Sequence, residues 1–186
     1  MNKLYRLLVI FIPFFILGCT PNVFEENEIT KEINNLNLNI FSKNGDKKYS
    51  IKSPYSTYNN LINKFQFQET IINIFDEGKT KFIINSDKAI LSDNNKLVEL
   101  EGNVKLKTIN QNEDYLFADN FIWNIEETDY LLKGNIKFEN KNVILTSRKA
   151  IMGSDNIIEF FNPVKYIIKD VENDNKYEIN SENAYY

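Results

Sequence analysis

Few side chains in this sequence could carry out chemistry. It has no histidine and a single cysteine, so the group best suited to acid–base work near neutral pH is missing. Thiol nucleophiles and Cys/His metal sites could draw only on Cys19. No phosphate-cradling glycine loop, dinucleotide fingerprint or Gly-x-Ser-x-Gly turn occurs. Carboxylates are plentiful, and Asp87, Glu101, Asp119, Glu126 and Glu127 stand out. They fall in alternating strands and polar turns, where solvated positions are expected rather than a catalytic pair. Asp/Asn-rich turns could hold calcium, but none shows the twelve-residue ligand spacing. The expectation is no enzyme, no cofactor and no metal.

Cys19 has a different use. Lys3 and Arg6 precede an apolar run from Leu7 to Leu17, interrupted by Pro13. That run is too short to span a bilayer comfortably. It ends in Ile16-Leu17-Gly18-Cys19, which resembles the lipobox of bacterial lipoproteins, and this resemblance implies a lipid on Cys19. Residues 1–18 are then a signal peptide and 19–35 a lipidated, polar tether. Two or more acyl chains give stable anchoring, at about 0.8 kcal/mol per buried methylene. Without residues 1–18, 20 basic residues face 26 acidic ones, a formal charge of −6. That balance argues against nucleic acid or an anionic bilayer as a partner surface.

Residues 36–186 read as one all-β domain. With 14 Phe and 10 Tyr, the composition suits pleated, half-buried surfaces. Five related segments recur at about thirty-residue intervals: Ile51-Ser53-Ser56-Tyr58, Ile84-Ser86-Ala89-Leu91, Leu116-Ala118-Phe121-Trp123, Leu145-Ser147-Ala150-Met152 and Ile179-Ser181-Ala184-Tyr186. The three-residue step inside a period-2 pattern predicts a bulge that keeps both halves facing inward. After the middle copies come polar turns and a second alternating strand: Val98 to Leu106, Tyr130 to Phe138 and Ile158 to Tyr166. Phe65, Phe67 and Ile71 should open that series in the first copy. Strict alternation with one polar face means antiparallel strands wet on one side. Two facing sheets, a jelly roll or an open two-sheet β-solenoid would each accommodate such units. Only Glu25 to Leu38 could form a short helix.

Gly102 to Leu106 and Gly134 to Phe138 both read Gly-Asn-Val/Ile-Lys-Leu/Phe, after Ser86-Asp87-Lys88-Ala89 and Ala118-Asp119-Asn120-Phe121. These segments resemble the repeat of the lipopolysaccharide-transport jelly rolls, which include LptC, LptA and the N-terminal domain of the outer-membrane translocon. An anchor before one such domain is most similar to the LptC type. The likeness runs from about Phe41 to Tyr186. Two features depart from the pattern: a lipobox replaces a transmembrane helix, and Asn162-Pro163-Val164 stands where Gly-Asn-Val is expected.

The resemblance implies a periplasmic component of lipopolysaccharide export in a Gram-negative-type envelope, anchored to the inner rather than the outer membrane. Its partners would be lipopolysaccharide or a related glycolipid, the jelly-roll domains of the ABC transporter's membrane subunits, and the LptA-type bridge protein. Acyl chains would lie in an apolar groove lined by Phe67, Ile84, Leu100, Phe121, Trp123, Leu132, Ile136, Phe138, Phe160 and Val164. A sandwich of this size needs these same residues simply to fold, so ordinary core is the first expectation for any one of them, Trp123 included. The competing reading is a structural β-domain lipoprotein that binds proteins and carries no lipid.

Overall fold

The computed structural model describes residues 30–92, 94–109, 114–127, 129–153, 156–170 and 175–186. Cys19 and residues 1–18, expected as a signal peptide, lie outside them. The described residues form ten strands: β1 Thr30–Phe41, β2 Lys47–Asn59, β3 Lys64–Asp76, β4 Lys79–Ser92, β5 Leu97–Thr108, β6 Tyr115–Asn124, β7 Tyr130–Glu139, β8 Val143–Met152, β9 Ile158–Asp170 and β10 Asn175–Tyr185. All ten belong to one sheet in the order of the sequence, and every neighbouring pair is antiparallel. The all-β expectation holds.

The predicted bulges set the shape. Asn85 pairs with Lys105 and Lys88 with Glu101, so two residues of β4 face three of β5. The same shift recurs at Phe117/Asn120 between β6 and β7 and at Thr146/Lys149 between β8 and β9. Even-numbered strands supply the Ser/Ala step. The Ser53 hydroxyl lies 2.6 Å from both the Tyr55 and Gln68 carbonyls, while Ser86 donates to Lys88 at 2.9 Å. Ser147 lies 2.8 Å from the Lys149 carbonyl and 2.7 Å from that of Phe161, and Ser181 donates to Asn183. Each hydroxyl thus reaches a carbonyl where the ladder is locally disrupted.

Odd-numbered strands supply the left-handed residue: Asn35 in β1, Glu69 in β3, Gly102-Asn103 in β5 and Gly134-Asn135 in β7. A Cβ on Gly102, at φ +76°, would stand 2.6 Å from the Asp87 carboxylate. One on Gly134, at φ +71°, would likewise overlap Asp119. Those carboxylates accept hydrogen bonds from the Asn103 and Asn135 amides at 2.8 and 2.9 Å. The paired Asp and Gly-Asn motifs are one device, seating the carboxylate where a side chain would otherwise be.

Two expectations are corrected. Thr30 to Leu38 is strand, not helix, and residues 30–35 belong to the sheet rather than the tether. An edge strand this exposed carries little hydrophobic period to read. Ile71 points outward, at 41% exposed, and Thr70, Ile72 and Ile74 point inward in its place. The left-handed Glu69 adds a residue to β3 at the bulge, which reverses the parity beyond it.

Candidate functional site: the interior between two wings

At the bulges every strand divides into two limbs, so the sheet has two wings. One wing holds Tyr49 of β2, Phe82 of β4, Leu106 of β5, Leu116 of β6 and Phe138 of β7. The other holds Phe67, Leu100, Phe121, Trp123, Leu132, Met152 and Phe160. The wings face one another. Tyr49 meets Trp123 edge to face at 5.1 Å, although four strand positions separate β2 from β6. Phe138 and Tyr186 likewise close to 4.1 Å across the far end. The meander is therefore rolled upon itself into the jelly-roll form.

All ten residues expected to line the groove lie in one continuous apolar cluster, each between 0 and 6% exposed. The interior is closed along most of its length. Trp123 takes the core role, packing on Tyr49 and on Tyr130 at 5.7 Å. Burial pushes the Tyr49 hydroxyl up to about 12 and raises that of Tyr130 as well, because neither phenolate can be hydrated there.

A cavity of about 180 Å³ opens at one end, lined chiefly by Phe82, Leu106, Leu116, Phe138, Met152 and Ile158, with Lys81, Asp114, Tyr115 and Tyr186 around it. Burial also raises the Tyr186 hydroxyl, with the charge of Asp114 adding to the effect. An engineered apolar cavity of about 150 Å³ admits one benzene, so this space takes part of an alkyl chain and not a whole one. Of the ten predicted residues only Phe138 lines it. Leu106, Leu116, Met152, Ile158 and Tyr186 stand in the repeat itself, but nothing in one repeat indicates which other repeat it will face.

Outward positions mix charged residues with partly exposed apolar ones such as Phe117, Ile122 and Leu131. Lys133 is exposed, and Lys137 lies over the Phe117 ring and pairs with Glu139. Hydrogen bonds from Lys137 and Lys169 hold the Glu139 carboxyl below its ordinary value. Asp87, Glu101, Asp119, Glu126 and Glu127 are all exposed, as expected. No three described His, Cys, Asp or Glu residues gather as metal ligands. Among the described residues β1 pairs only with β2 and β10 only with β9, so these two strands form the lateral edges of the described sheet.

No curated protein matches the chain in sequence. Its fold is similar to the crystal structure of LptH from Pseudomonas aeruginosa, described as the LptA-homologous periplasmic component of the conserved lipopolysaccharide transport device. That match has a TM-score of 0.53 at 6% identity and covers 70% of this chain and 93% of the other, a likeness of fold alone. The family model for lipopolysaccharide-assembly, LptC-related proteins matches residues 18–150, well over half of the chain and including both Gly-Asn repeats. The chain belongs to the LptC-related family of lipopolysaccharide-assembly proteins.

Proposed function

We propose that this protein is a lipid-anchored conduit of lipopolysaccharide export. In this reading acyl chains bind between the two wings and pass from the ABC transporter's jelly rolls to the LptA-type bridge. Membership of the LptC-related family makes it a component of lipopolysaccharide transport working in the periplasm. The observation that carries the finer reading is the continuity of the apolar interior. Phe67, Leu100, Phe121, Leu132 and Phe160 follow one another across β3, β5, β6, β7 and β9, and Phe138 reaches the cavity at the end. Such a surface binds alkyl chains by burial alone, which permits transfer without tight polar trapping. As the lateral strands among the described residues, β1 and β10 suit partners that extend the sheet through backbone hydrogen bonds.

The closed interior places one requirement on this reading. A full acyl chain needs more room than about 180 Å³, so loading requires the wings to part. That same closure favours the second reading, a protein-binding β domain with no lipid cargo. Photo-crosslinking from the interior face separates the two.

The anchor has its own test. Mass spectrometry of the native protein is expected to find a chain beginning at Cys19 with a diacylglyceryl group on its sulfur. A chain that keeps residues 1–18, with a free thiol at Cys19, would end the lipoprotein reading.

A further inference from the structure

The β2–β3 turn points to a second membrane contact. Leu61 and Ile62 are adjacent at its tip and 52% and 62% exposed. The turn is held in shape: Asn59 Oδ1 accepts from the Leu61 and Ile62 amides at 3.0 and 3.3 Å. The Tyr58 hydroxyl donates to Asn63 Oδ1, and the Asn63 amide donates to Asn94 Oδ1, both at 2.9 Å. Two large aliphatic side chains are thus displayed on a pre-ordered tip, so little ordering entropy remains to be lost on binding.

Its surroundings favour a bilayer as the occupant. Tyr58 pairs with Lys31 across β1 and Asn59 with Lys64 across β3, giving the aromatic and cationic flank suited to the membrane interface. Thr30, where the strand begins, pairs with Asn59 at the base of the same turn. Thr30 is eleven positions after Cys19, a span of at most roughly 40 Å when fully extended. Neighbouring turns at this end differ in kind. The β4–β5 turn offers Asn94, Asn95 and Lys96, and the β6–β7 turn offers exposed Glu126, Glu127 and Asp129. Farther along, at the β8–β9 turn, Ile157 is a single exposed aliphatic.

We propose that Leu61 and Ile62 insert into the bilayer surface beside the anchor and tilt the domain so that its β1 edge faces the membrane. This rests on the lipid-anchor reading. The test uses the full lipidated chain in vesicles of phosphatidylethanolamine and phosphatidylglycerol. With the Cys19 sulfur held in a thioether to the diacylglyceryl group, a nitroxide on Ile62→Cys reports that position alone. Its collision rate with oxygen, relative to a water-soluble nickel complex, is expected to exceed that of a label on Glu127→Cys several-fold. That places it about 5–10 Å into the headgroup–acyl boundary. Solvent-like values at both positions overturn the proposal, as does a label at 62 already immobilised by protein in the absence of vesicles. Two labels per chain show an unmodified Cys19 and overturn the anchor reading. The tip is then probed in Ile62→Cys with Cys19→Ser on the same vesicles, where a several-fold excess supports insertion and solvent-like values overturn it.

Discussion

Replacing Leu132 with aspartate is expected to remove most of the domain's stability at neutral pH. Leu132 is 1% exposed and packs in register between Phe121 and Ala150. Deleting its side chain alone should cost about 2–5 kcal/mol. An unpaired carboxyl in that setting adds several more, against a total stability of about 5–15 kcal/mol for a domain. The pH dependence has a definite sign. Burial raises the folded-state pKa of the new carboxyl above its unfolded value of about 3.9. The electrostatic penalty is therefore absent below pH 4 and grows as pH rises towards the folded pKa. Urea titrations of Leu132→Asp at pH 4 and pH 7, against the parent at each pH, measure it. A loss under about 1 kcal/mol at both would mean that water reaches position 132 and the wings stand open.

Gly134→Ala is expected to cost about 2–3 kcal/mol, a large effect for one methyl group. The left-handed backbone alone costs an alanine about 1–2 kcal/mol. The new Cβ also displaces the Asp119 carboxylate and breaks its bond from Asn135. In an Asp119→Ala background the overlap with the carboxylate is gone, and only the Cβ of residue 119, at 3.0 Å, stays close. The same glycine change should then cost little more than the backbone term. Thermal or urea unfolding of the four proteins in that cycle gives the coupling, expected at about 1 kcal/mol. Full additivity would contradict the pairing of the two motifs. Gly102 and Asp87 should behave alike.

That pairing shows how far the sequence can be read. The Gly-Asn and Ser/Ala-Asp segments are visible as a repeat, and their bulge is legible because a three-residue step in a period-2 pattern has one geometric solution. All ten interior residues are legible for the same reason: alternation assigns a face without reference to distant strands. Where local pattern is weak, the sequence misleads. β1 lies at an edge with most of its residues exposed, so nothing in its polarity distinguishes strand from tether. At Glu69 the extra residue is not a glycine, so simple alternation puts Ile71 on the wrong face. The meeting of Tyr49 with Trp123, and hence the position of the cavity, depends on how far the sheet coils. That is set by twist accumulated over many strands and is written in no single repeat.

The central claim, that lipid travels between the wings, is tested most directly by photo-crosslinking in cells that are exporting lipopolysaccharide. A crosslinking residue at Leu132 or Phe138, both inward and buried, should capture lipopolysaccharide. One at Lys133 or Lys137, on the outer face of the same strand β7, should not. Capture from the inner pair alone is the predicted result. Equal capture from both faces, or none from either while the domain is folded and transport proceeds, would contradict the conduit and favour a protein-binding β domain without lipid cargo.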